Sequence, residues 1–302
     1  MNKRKITVIT GASSGLGAEF ARQIYKKLSE KKDSAQREIW LVARNKEKLE
    51  SMKDEIERGR LLCLARNDGK SEFRNDGEIE ARSDEVVAEN DNNLEIKTVP
   101  MDISGADGVK KFSDFLESEN TKENLEIENL VNNAGFGTYG PVDETPPERE
   151  MEMIELNCVS LTGICGKALP FMEKGSGIIN VSSLAAFYPL GNFAVYGATK
   201  AYVLNFSIAL SAEIKGRGIK VTALCPGSVS TDFANIASNG ARKEVLHGKS
   251  PVKVVAHCLK KYKKGKLLAL WSPKWKLAAF FSRIVNRYHA ARFTYLFVKR
   301  PH

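Results

Sequence analysis

Ile6-Thr-Val-Ile-Thr10-Gly11-Ala-Ser-Ser-Gly15-Leu-Gly17 joins a strand pattern directly to three closely spaced glycines. Ile6 to Thr10 is a short apolar run of the kind that forms a buried parallel strand. A helical pattern follows from Ala18 to Leu28. At such a strand–turn–helix unit, backbone N–H groups and the helix dipole converge on an anion, and glycines let a pyrophosphate approach closely. The segment therefore predicts a dinucleotide-binding turn of GxxxGxG spacing.

The alternation of strand and helix continues along the chain. Further strands are predicted at 38–43, 95–101, 125–131, 177–182, 219–224 and 266–271, with helical patterns at 107–119, 151–172 and 195–215. This order predicts an α/β fold, a Rossmann-type doubly wound parallel sheet of about seven strands with helices on both faces. Ligands bind such sheets beyond the carboxyl ends of the strands. The residues expected at those ends are Gly11, Arg44, Asp102, Asn132, Ser183 and Pro226.

Arg44 follows the second predicted strand, where a NAD-binding protein commonly presents a carboxylate to the ribose 2′-hydroxyl. Here Ala43 is neutral and Arg44 is basic, which suits a 2′-phosphate by charge pairing. An exposed arginine that merely ends the strand is the structural alternative. We interpret the position as favouring NADP(H) over NAD(H).

Tyr196-Gly-Ala-Thr-Lys200 places a phenol and an ammonium four residues apart in a helical pattern. Residues at this spacing lie on the same face of a helix. A nearby ammonium favours the phenolate, so we expect Lys200 to lower the pKa of Tyr196 from its ordinary value of about 10. Pairs at this spacing are common on solvated helices, so the motif gains meaning only from the other motifs along the chain.

Together these motifs resemble the short-chain dehydrogenase/reductase family over residues 5–233. The residues that carry the resemblance are TGASSGLG at Thr10–Gly17, NNAG at Asn132–Gly135, Asn157, Ser183, YGATK at Tyr196–Lys200, and Pro226–Gly227. The first turn reads TGxxxGxG, as in the short single-domain type, whereas the longer branch of the family usually has TGxxGxxG.

The resemblance implies a catalytic set of Asn157, Ser183, Tyr196 and Lys200. Tyr196 would exchange the proton with the substrate oxygen, and Ser183 would hydrogen-bond the same oxygen. Lys200 would hold the nicotinamide ribose, and Asn157 would position a water molecule that connects the lysine to solvent. Taken singly, Ser183 would be a strand-end cap and Asn157 a helix kink residue.

The resemblance also implies the cofactor contacts. They are Gly11, Ser13, Ser14, Gly15, Leu16, Gly17, Arg44, Asp102, Ile103, Asn132, Asn133, Ala134, Gly135, Tyr196, Lys200, Pro226, Gly227 and Thr231. No metal site is predicted. The implied activity is that of an enzyme, an NADP(H)-dependent oxidoreductase that transfers a hydride between the nicotinamide and a carbonyl or secondary alcohol. The alternative is a non-catalytic sensor of nicotinamide redox state on the same fold, which would be expected to lack the tyrosine or the lysine.

Apolar residues after Ser183 indicate the kind of substrate. Leu184, Phe187, Tyr188, Pro189 and Phe193 would give the site an apolar wall. This pattern favours a small-molecule carbonyl substrate with a hydrophobic body, a ketone or an aldehyde, over a sugar.

Two segments depart from the compact family pattern, a polar stretch at 59–94 and a basic tail at 273–302. We interpret the first as a mobile surface insertion within a domain at 1–272, and the second as an amphipathic helical extension. The tail has an apolar stripe at Leu277, Phe280, Phe281, Ile284, Val285 and Tyr288, beside Lys276, Arg283 and Arg287. Such a helix can pack on the domain or on another subunit, or lie on an anionic membrane through residues 273–298.

Composition limits which other classes of protein the chain can belong to. With 27% charged and 42% hydrophobic residues, the 302-residue chain suits a soluble globular protein, and no apolar run is long enough to span a bilayer. The net charge of +9 comes from scattered basic residues, which does not support nucleic-acid binding. Five scattered cysteines favour a reducing compartment, so a cytoplasmic location is expected. A homo-oligomer, dimer or tetramer, is also expected.

Overall fold

The computed structural model describes residues 3–31, 34–67, 93–243, 245, 248–298 and 300. Seven parallel strands form one sheet in the order β3-β2-β1-β4-β5-β6-β7. Their bounds are β1 Arg4–Thr10, β2 Arg37–Ala43, β3 Leu94–Pro100, β4 Leu125–Asn132, β5 Gly177–Val181, β6 Lys220–Leu224 and β7 Leu268–Ala269. The predicted doubly wound parallel sheet is confirmed.

Ten α-helices lie in the described part of the chain, and most of them connect successive strands. They are α1 Gly15–Ser29, α2 Lys46–Asn67, α3 Gly105–Lys122, α4 Pro147–Ile154, α5 Leu161–Ala168, α6 Ala194–Glu213, α7 Phe233–Ala237, α8 Pro251–Lys263, α9 Pro273–Phe281 and α10 Arg287–Phe297.

Helices cover both faces of the sheet, which explains why β1, β2 and β5 are buried almost throughout. On one face α1, α2 and α8 bury residues such as Phe20, Leu49 and Val255 against β1 and β2. On the other face α3, α5 and α6 bury residues such as Phe112 and Val203. Parallel strands covered on both sides need no polar face.

The chain winds away from β1 in both directions, first through β2 and β3 and then through β4 to β7. The connections therefore diverge between β1 and β4. A crevice opens at such a switch point beyond the carboxyl ends of the strands. All of the residues discussed below as a site lie at this edge.

The helix predicted at 151–172 is interrupted by a wider π-helical turn at Glu155–Ser160, which separates α4 from α5. The Ser160 hydroxyl donates to the Glu155 carbonyl at 2.9 Å and accepts from the Gly105 N–H at 2.9 Å. A side-chain hydroxyl thus competes with backbone N–H donors for a helix carbonyl, which loosens the helix at this point. Asn157 lies within the wide turn.

The tail at 273–302 contains two helices, α9 and α10, so the apolar stripe expected from Leu277 to Tyr288 does not lie on one helix. Asn286 starts α10, because its side-chain oxygen accepts from the N–H groups of Tyr288 and His289 at 2.9 and 3.3 Å. This N-cap ends the stripe that the spacing of apolar residues suggested. Within the described ranges, no helix combines the length and the apolar character needed to cross a membrane.

The polar stretch predicted at 59–94 is shorter than its sequence pattern suggested. Helix α2 continues to Asn67, and β3 begins at Leu94. The greater part of that predicted insertion, residues 68–92, lies outside the described residues.

Candidate active site

A cavity of about 1070 Å³ lies at the carboxyl edge of the sheet. One end is lined by the glycine turn after β1 and by the ends of β2 and β3. The other end is lined by the segments after β4, β5 and β6 and by the C-terminal tail. The cavity therefore contains the strand ends that were expected to meet. It also contains residues of the C-terminal tail.

The glycine turn has the shape of a phosphate-binding loop. Gly11 and Gly15 have φ values of +63° and +57°, a region that favours glycine. A Cβ atom on Gly17 would lie 2.1 Å from the Gly11 carbonyl oxygen, so only glycine lets α1 start this close to the turn. The Ser14 side chain forms no capping hydrogen bond with the start of α1. The first N–H groups of the helix are therefore left available to a ligand at this end of the cavity.

Asn133 fastens the neighbouring loop to this turn. Its side-chain amide donates to the carbonyl oxygens of Thr10 and Gly11 at 3.2 and 3.0 Å. The Thr10 hydroxyl oxygen accepts from the backbone N–H groups of Asn133 and Ala134 at 3.0 and 3.1 Å. These bonds join the ends of β1 and β4, which fixes the floor of the crevice.

Two basic side chains line the cavity beyond β2, the predicted Arg44 and also Lys48. Both are exposed, and no carboxylate among the described residues forms an ion pair with either. Lys48 lies in the first turn of α2, where its backbone N–H is capped by Asn45 at 2.8 Å. This end of the cavity is therefore positive and suited to a phosphate group.

Tyr196 lies at the other end of the cavity, on α6, and its side chain is almost fully buried. Phe193 stacks on its ring at 4.2 Å between centroids, and Phe233 packs against it at 5.3 Å. Burial raises the pKa of Tyr196 above its ordinary value, and the nearby Ser183 hydroxyl opposes this with a smaller effect. The expected lowering of this pKa by Lys200 is therefore wrong for the protein alone, since burial of the phenol dominates.

Lys200 is held one helical turn from Tyr196 by contacts with β5. Its ammonium donates to the Val181 carbonyl oxygen at 3.0 Å and lies 5.7 Å from the centre of the Tyr196 ring. The Ser182 hydroxyl donates to the Lys200 carbonyl oxygen at 2.8 Å. Burial lowers the pKa of Lys200 to about 8. The side chain is thus rigid and still mostly charged at neutral pH.

Ser183 lies at the end of β5 and starts a short 3-10 helix at Leu184–Phe187. Its hydroxyl oxygen accepts from the Ala185 N–H at 3.1 Å and can donate to the Pro226 carbonyl at 3.4 Å. The second distance is long for a hydroxyl donor, so the proton can be redirected to a ligand. The side chain lines the cavity beside Tyr196.

Asn157 does not line the cavity, although the resemblance placed it in the catalytic set. Its amide donates to the Phe136 carbonyl at 2.9 Å and to the Thr199 hydroxyl at 3.1 Å, and its oxygen accepts from the Phe136 N–H at 3.1 Å. The side chain therefore ties the loop after β4 to the residue beside Lys200. Its contacts are those of a positioning residue.

Two of the predicted cofactor contacts are also absent from the cavity lining. Asn132 is buried and donates to the Asn180 side chain at 2.9 Å, because alternate residues of a strand face opposite sides of the sheet. Gly17 packs against the Gly11 carbonyl and faces inward. The other sixteen line the cavity: Gly11, Ser13, Ser14, Gly15, Leu16, Arg44, Asp102, Ile103, Asn133, Ala134, Gly135, Tyr196, Lys200, Pro226, Gly227 and Thr231.

The apolar wall is partly as expected. Leu184, Tyr188 and Phe193 line the cavity, whereas Phe187 and Pro189 do not. Phe187 instead packs with Leu204 and Cys225 behind the wall. Sequence spacing cannot separate these neighbours, because the 3-10 turn and the loop after it rotate the side chains irregularly.

Several lining residues have no motif that could have revealed them. They are Lys48, Phe136, Tyr139, Arg149, Arg242, Trp275, Val298 and Arg300. The Arg300 guanidinium lies over the rings of Phe193 and Tyr139, at 5.1 and 5.9 Å from their centres. A Cβ atom on Gly227 would lie 2.4 Å from the Trp275 indole nitrogen, so this glycine is needed for the tail to pack.

Known proteins resemble this chain at two levels. Serine 3-dehydrogenase of Rhizobium radiobacter is 34% identical over 153 residues, which is 46% of this chain. The match spans only 61% of the length of that relative. Among solved structures, a short-chain dehydrogenase from Sphingobium yanoikuyae in complex with NADPH has a TM-score of 0.68 and 22% identity, over 93% of this chain and 94% of that one.

A second solved structure, a short-chain dehydrogenase/reductase from Burkholderia phymatum in complex with NAD, also has a TM-score of 0.68. Its identity is 18%, with 93% of each chain covered. At such identities the two structures support the fold alone. A comparison with protein families matches residues 64–241, more than half of the chain, to the family described as short chain dehydrogenase. The chain therefore belongs to the short-chain dehydrogenase/reductase family of oxidoreductases.

Proposed function

We propose that the protein is an NADP(H)-dependent reductase of hydrophobic ketones or aldehydes. One observation carries this proposal: Tyr196, Ser183 and Lys200 lie at one end of a cavity whose other end is a glycine turn with two unpaired cations among the described residues. A proton donor and an anion site in one cavity suit a dinucleotide that reacts at one end and is recognised at the other.

The residues at the glycine turn fit a dinucleotide. The turn needs glycine at Gly11 and Gly17, where a Cβ atom would lie within 2.9 Å of the loop after β4 or of the turn itself. Arg44 and Lys48 would pair with a 2′-phosphate, which favours NADP(H). Asp102 and Thr231 line the same cavity and would contact the remaining polar groups. When bound, the nicotinamide would supply the hydride for the reduction.

The chain's own residues would manage the proton. Because burial keeps the pKa of Tyr196 high, its phenol is protonated at neutral pH and can donate to the carbonyl oxygen. The Ser183 hydroxyl, only loosely held by Pro226, would donate a hydrogen bond to the same oxygen. Lys200, fixed by the carbonyl of Val181, would stabilise the negative charge left on the tyrosine. Asn157 would hold the loop after β4 against the part of α6 that carries Lys200.

The aromatic rings at the substrate end of the cavity support a carbonyl compound with a hydrophobic body. Phe136, Tyr139, Phe193 and Phe233 form a cluster of aromatic rings around Tyr196. A sugar would leave its hydroxyl groups facing these rings, at the cost of lost hydrogen bonds. Two solved neighbours bind different nicotinamide cofactors, so the NADP(H) preference rests on Arg44 and Lys48.

Steady-state reduction of a panel of ketones and aldehydes by the purified chain tests the proposal. We expect NADPH oxidation with apolar carbonyl compounds, and Tyr196→Phe should lower kcat on the order of a thousandfold, as general acid catalysis contributes about 10²–10⁴-fold. NADPH binding, followed by fluorescence titration, should stay within about twofold because the phenyl ring keeps its packing.

Tyr202→Phe is the matched control on the same helix, since the Tyr202 hydroxyl bonds Thr162 at 2.7 Å away from the cavity. It should keep the parental kcat. A non-catalytic redox sensor is the alternative function, and it would bind NADPH tightly without turnover of any compound in the panel. Substantial kcat in Tyr196→Phe would refute the assigned proton donor.

Assembly and location remain proposals as well. Met151, Ile154 and Ile208 are exposed apolar residues on α4 and α6, which supports a homo-oligomer formed through these helices. The cysteines at 158, 165, 225 and 258 are free thiols, which supports a reducing, cytoplasmic compartment. Sedimentation velocity and cell fractionation would test the two statements.

A further inference from the structure

The positive charge of this protein is concentrated at its C-terminal end, and is not scattered along the chain as stated above. Residues 245–302 contain fourteen lysines and arginines and no aspartate or glutamate. The whole chain has 46 basic and 37 acidic residues, so residues 1–244 hold 32 and 37 and are slightly acidic. The net charge of +9 is thus produced by the last fifth of the sequence.

Exposed apolar side chains are concentrated in the same region. Of the nineteen large hydrophobic residues that are exposed in the described part of the chain, eleven lie between residues 277 and 298. They are Leu277, Phe280, Phe281, Ile284, Val285, Tyr288, Phe293, Tyr295, Leu296, Phe297 and Val298. A patch of this kind on a protein surface marks an interaction site.

Helix α9 separates its two faces cleanly. Trp275 and Ala279 are buried and attach the helix to the protein. On the opposite side Leu277, Phe280 and Phe281 are 58%, 56% and 47% exposed. Successive helical residues turn by about 100°, which places these three at the centre of the outer face.

Lysines border this apolar centre on both sides. With about 100° per residue, Lys276 and Lys274 fall on opposite edges of the outer face of α9. Both are exposed, as are Arg283, Arg287 and Arg292 in the following turn and in α10. No carboxylate among the described residues forms an ion pair with any of the five. We call the outer side of α9, the turn at 282–286 and α10 the tail face.

The tail face lies at the same edge of the molecule as the cavity. Tyr188 donates a hydrogen bond to the Ala278 carbonyl of α9. The N–H of Gly191 and the side chain of Asn192 donate to Thr294 and Tyr295 of α10 at 2.9 and 3.1 Å. Both helices are therefore fixed to the segment that follows Ser183.

We propose that the tail face docks on an anionic lipid membrane. Phenylalanine and leucine at the centre would enter the boundary between headgroups and acyl chains, while the lysines and arginines around them pair with lipid phosphates and carboxylates. Charge favours a membrane over a second copy of the chain as the partner of the tail face. Two copies would bring two positively charged faces together, whereas an anionic membrane complements the face. The docked protein would present the cavity edge toward the membrane, where apolar carbonyl compounds collect.

Co-sedimentation of the full chain with vesicles tests the proposal and needs no catalytic activity. We expect binding to phosphatidylcholine vesicles that contain phosphatidylserine, little binding to phosphatidylcholine alone, and release as salt is raised. Leu277→Asp/Phe281→Asp should abolish binding. Val252→Asp, on an exposed apolar position of α8, should not change it.

A conservative pair covers the case in which the aspartate variant fails to fold. Lys274→Gln/Lys276→Gln should weaken vesicle binding about thirtyfold, since each basic group near an anionic surface contributes about fivefold. The matched control is Lys260→Gln/Lys263→Gln, which removes two exposed lysines of α8 and should change binding by less than about threefold if the tail face is the binding site.

Three outcomes would overturn the proposal. The parental chain could fail to bind phosphatidylserine vesicles, or both lysine pairs could weaken binding equally, which would indicate net charge alone. Sedimentation velocity without lipid could show that Leu277→Asp/Phe281→Asp dissociates an oligomer of a parent that does not bind vesicles, which would assign the tail face to a second copy. The reductase assay with the ketone and aldehyde panel is independent of vesicles. It therefore distinguishes failure of the membrane proposal from failure of the proposed reductase activity.

Discussion

Charged side chains at the two edges of the sheet have opposite surroundings. At the amino edge Arg4 binds Glu38 and Glu119 at 2.8 and 3.3 Å, and Glu119 also binds Lys97 and Lys122 at 2.6 and 2.7 Å. At the carboxyl edge Arg44 and Lys48 face the cavity, with no described carboxylate as partner. Lys200, at the same edge, has its charge held by a single backbone carbonyl in the described structure.

This difference separates charges that stabilise the fold from charges that are reserved for a ligand. Burial would raise the pKa of Glu119, but hydrogen bonds from Lys122 and Lys97 outweigh burial and lower that pKa to about 2. Burial of Lys200 acts the other way and lowers its pKa to about 8. The first group favours folding in its charged form, whereas the second opposes it.

The largest effect is expected for Lys200→Met. It removes the charge that would support the Tyr196 phenolate, so kcat/KM for reduction should fall on the order of a thousandfold. The pKa of Lys200 is lowered from 10.5 to about 8 in the folded state, so its protonation destabilises the protein increasingly as pH falls from 10.5 to about 8, and fully below that. The variant should therefore be at least as stable as the parent at pH 7, by urea denaturation.

Lys167→Met, at an exposed position of α5, is the control and should leave both quantities unchanged. A marked loss of stability in Lys200→Met would place that residue with the stabilising charges of the amino edge.

Arg44→Asp should change cofactor choice. The substitution removes one phosphate contact and adds a repulsion, and charge-assisted bonds contribute about 1.5–3 kcal/mol. The ratio of kcat/KM for NADPH to that for NADH should fall about a hundredfold. Arg58→Asp, an exposed residue of α2 outside the cavity lining, is the control. Equal ratios in the two variants would remove Arg44 from the cofactor site.

Glu119→Gln should act on stability without acting on activity. Loss of the buried carboxylate removes the partner of Lys97 and one of the partners of Arg4, which keeps Glu38. The free energy of unfolding at pH 7 should therefore fall by about 2 kcal/mol. Because the folded pKa is about 2 and the ordinary value 4.5, this stabilisation is present above pH 4.5 and is lost as pH falls toward 2.

Urea denaturation at pH 7 and pH 3 checks that prediction, and the difference from the parent should be smaller at pH 3. Asp114→Asn breaks the exposed pair with Lys110 on the same helix and should cost less than about 0.5 kcal/mol. If Glu119→Gln lost reductase activity while remaining folded, the division between the two edges would be wrong.

The smallest effect is expected for replacing residues 68–92 with a short glycine–serine linker. The described ends of this segment, Asn67 and Leu94, belong to α2 and β3 where they reach the amino edge, away from the cavity. Loop length there affects closure entropy only weakly, so kcat/KM should stay within about threefold of the parent. A large loss of kcat/KM in a folded variant would link this segment to the site.

Sequence alone located the part of the site that the sheet builds. Gly11, Arg44, Asp102, Ser183 and Pro226 follow strands, and the carboxyl ends of parallel strands share an edge, so their meeting was predictable. Strand alternation could have excluded Asn132, which lies one residue from Asn133 and faces the other side. The Asn286 cap could have divided the tail helix.

The rest of the site depends on contacts that no local pattern encodes. Tyr139 and Arg242 come from irregular segments, Arg149 comes from α4, and Trp275 and Arg300 come from the tail. Arg300 packs against Phe193 and Trp275 packs against Gly227, and both partners are far away in sequence. Periodicity reports which face of an element is buried, and it says nothing about which distant segment covers that face.

The contact between the tail and the cavity has a consequence for the order of folding. The Arg300 guanidinium donates a hydrogen bond to the Gly191 carbonyl, 109 residues away in sequence, and the Trp275 indole packs against Gly227. These contacts lie outside the sheet, whose own strands β1 and β4 pair with each other, so the sheet does not need them in order to form. The sheet and its glycine turn can therefore assemble while the substrate end is still open. Burial of the Trp275 indole should appear as a separate, slower fluorescence phase that marks completion of the cavity.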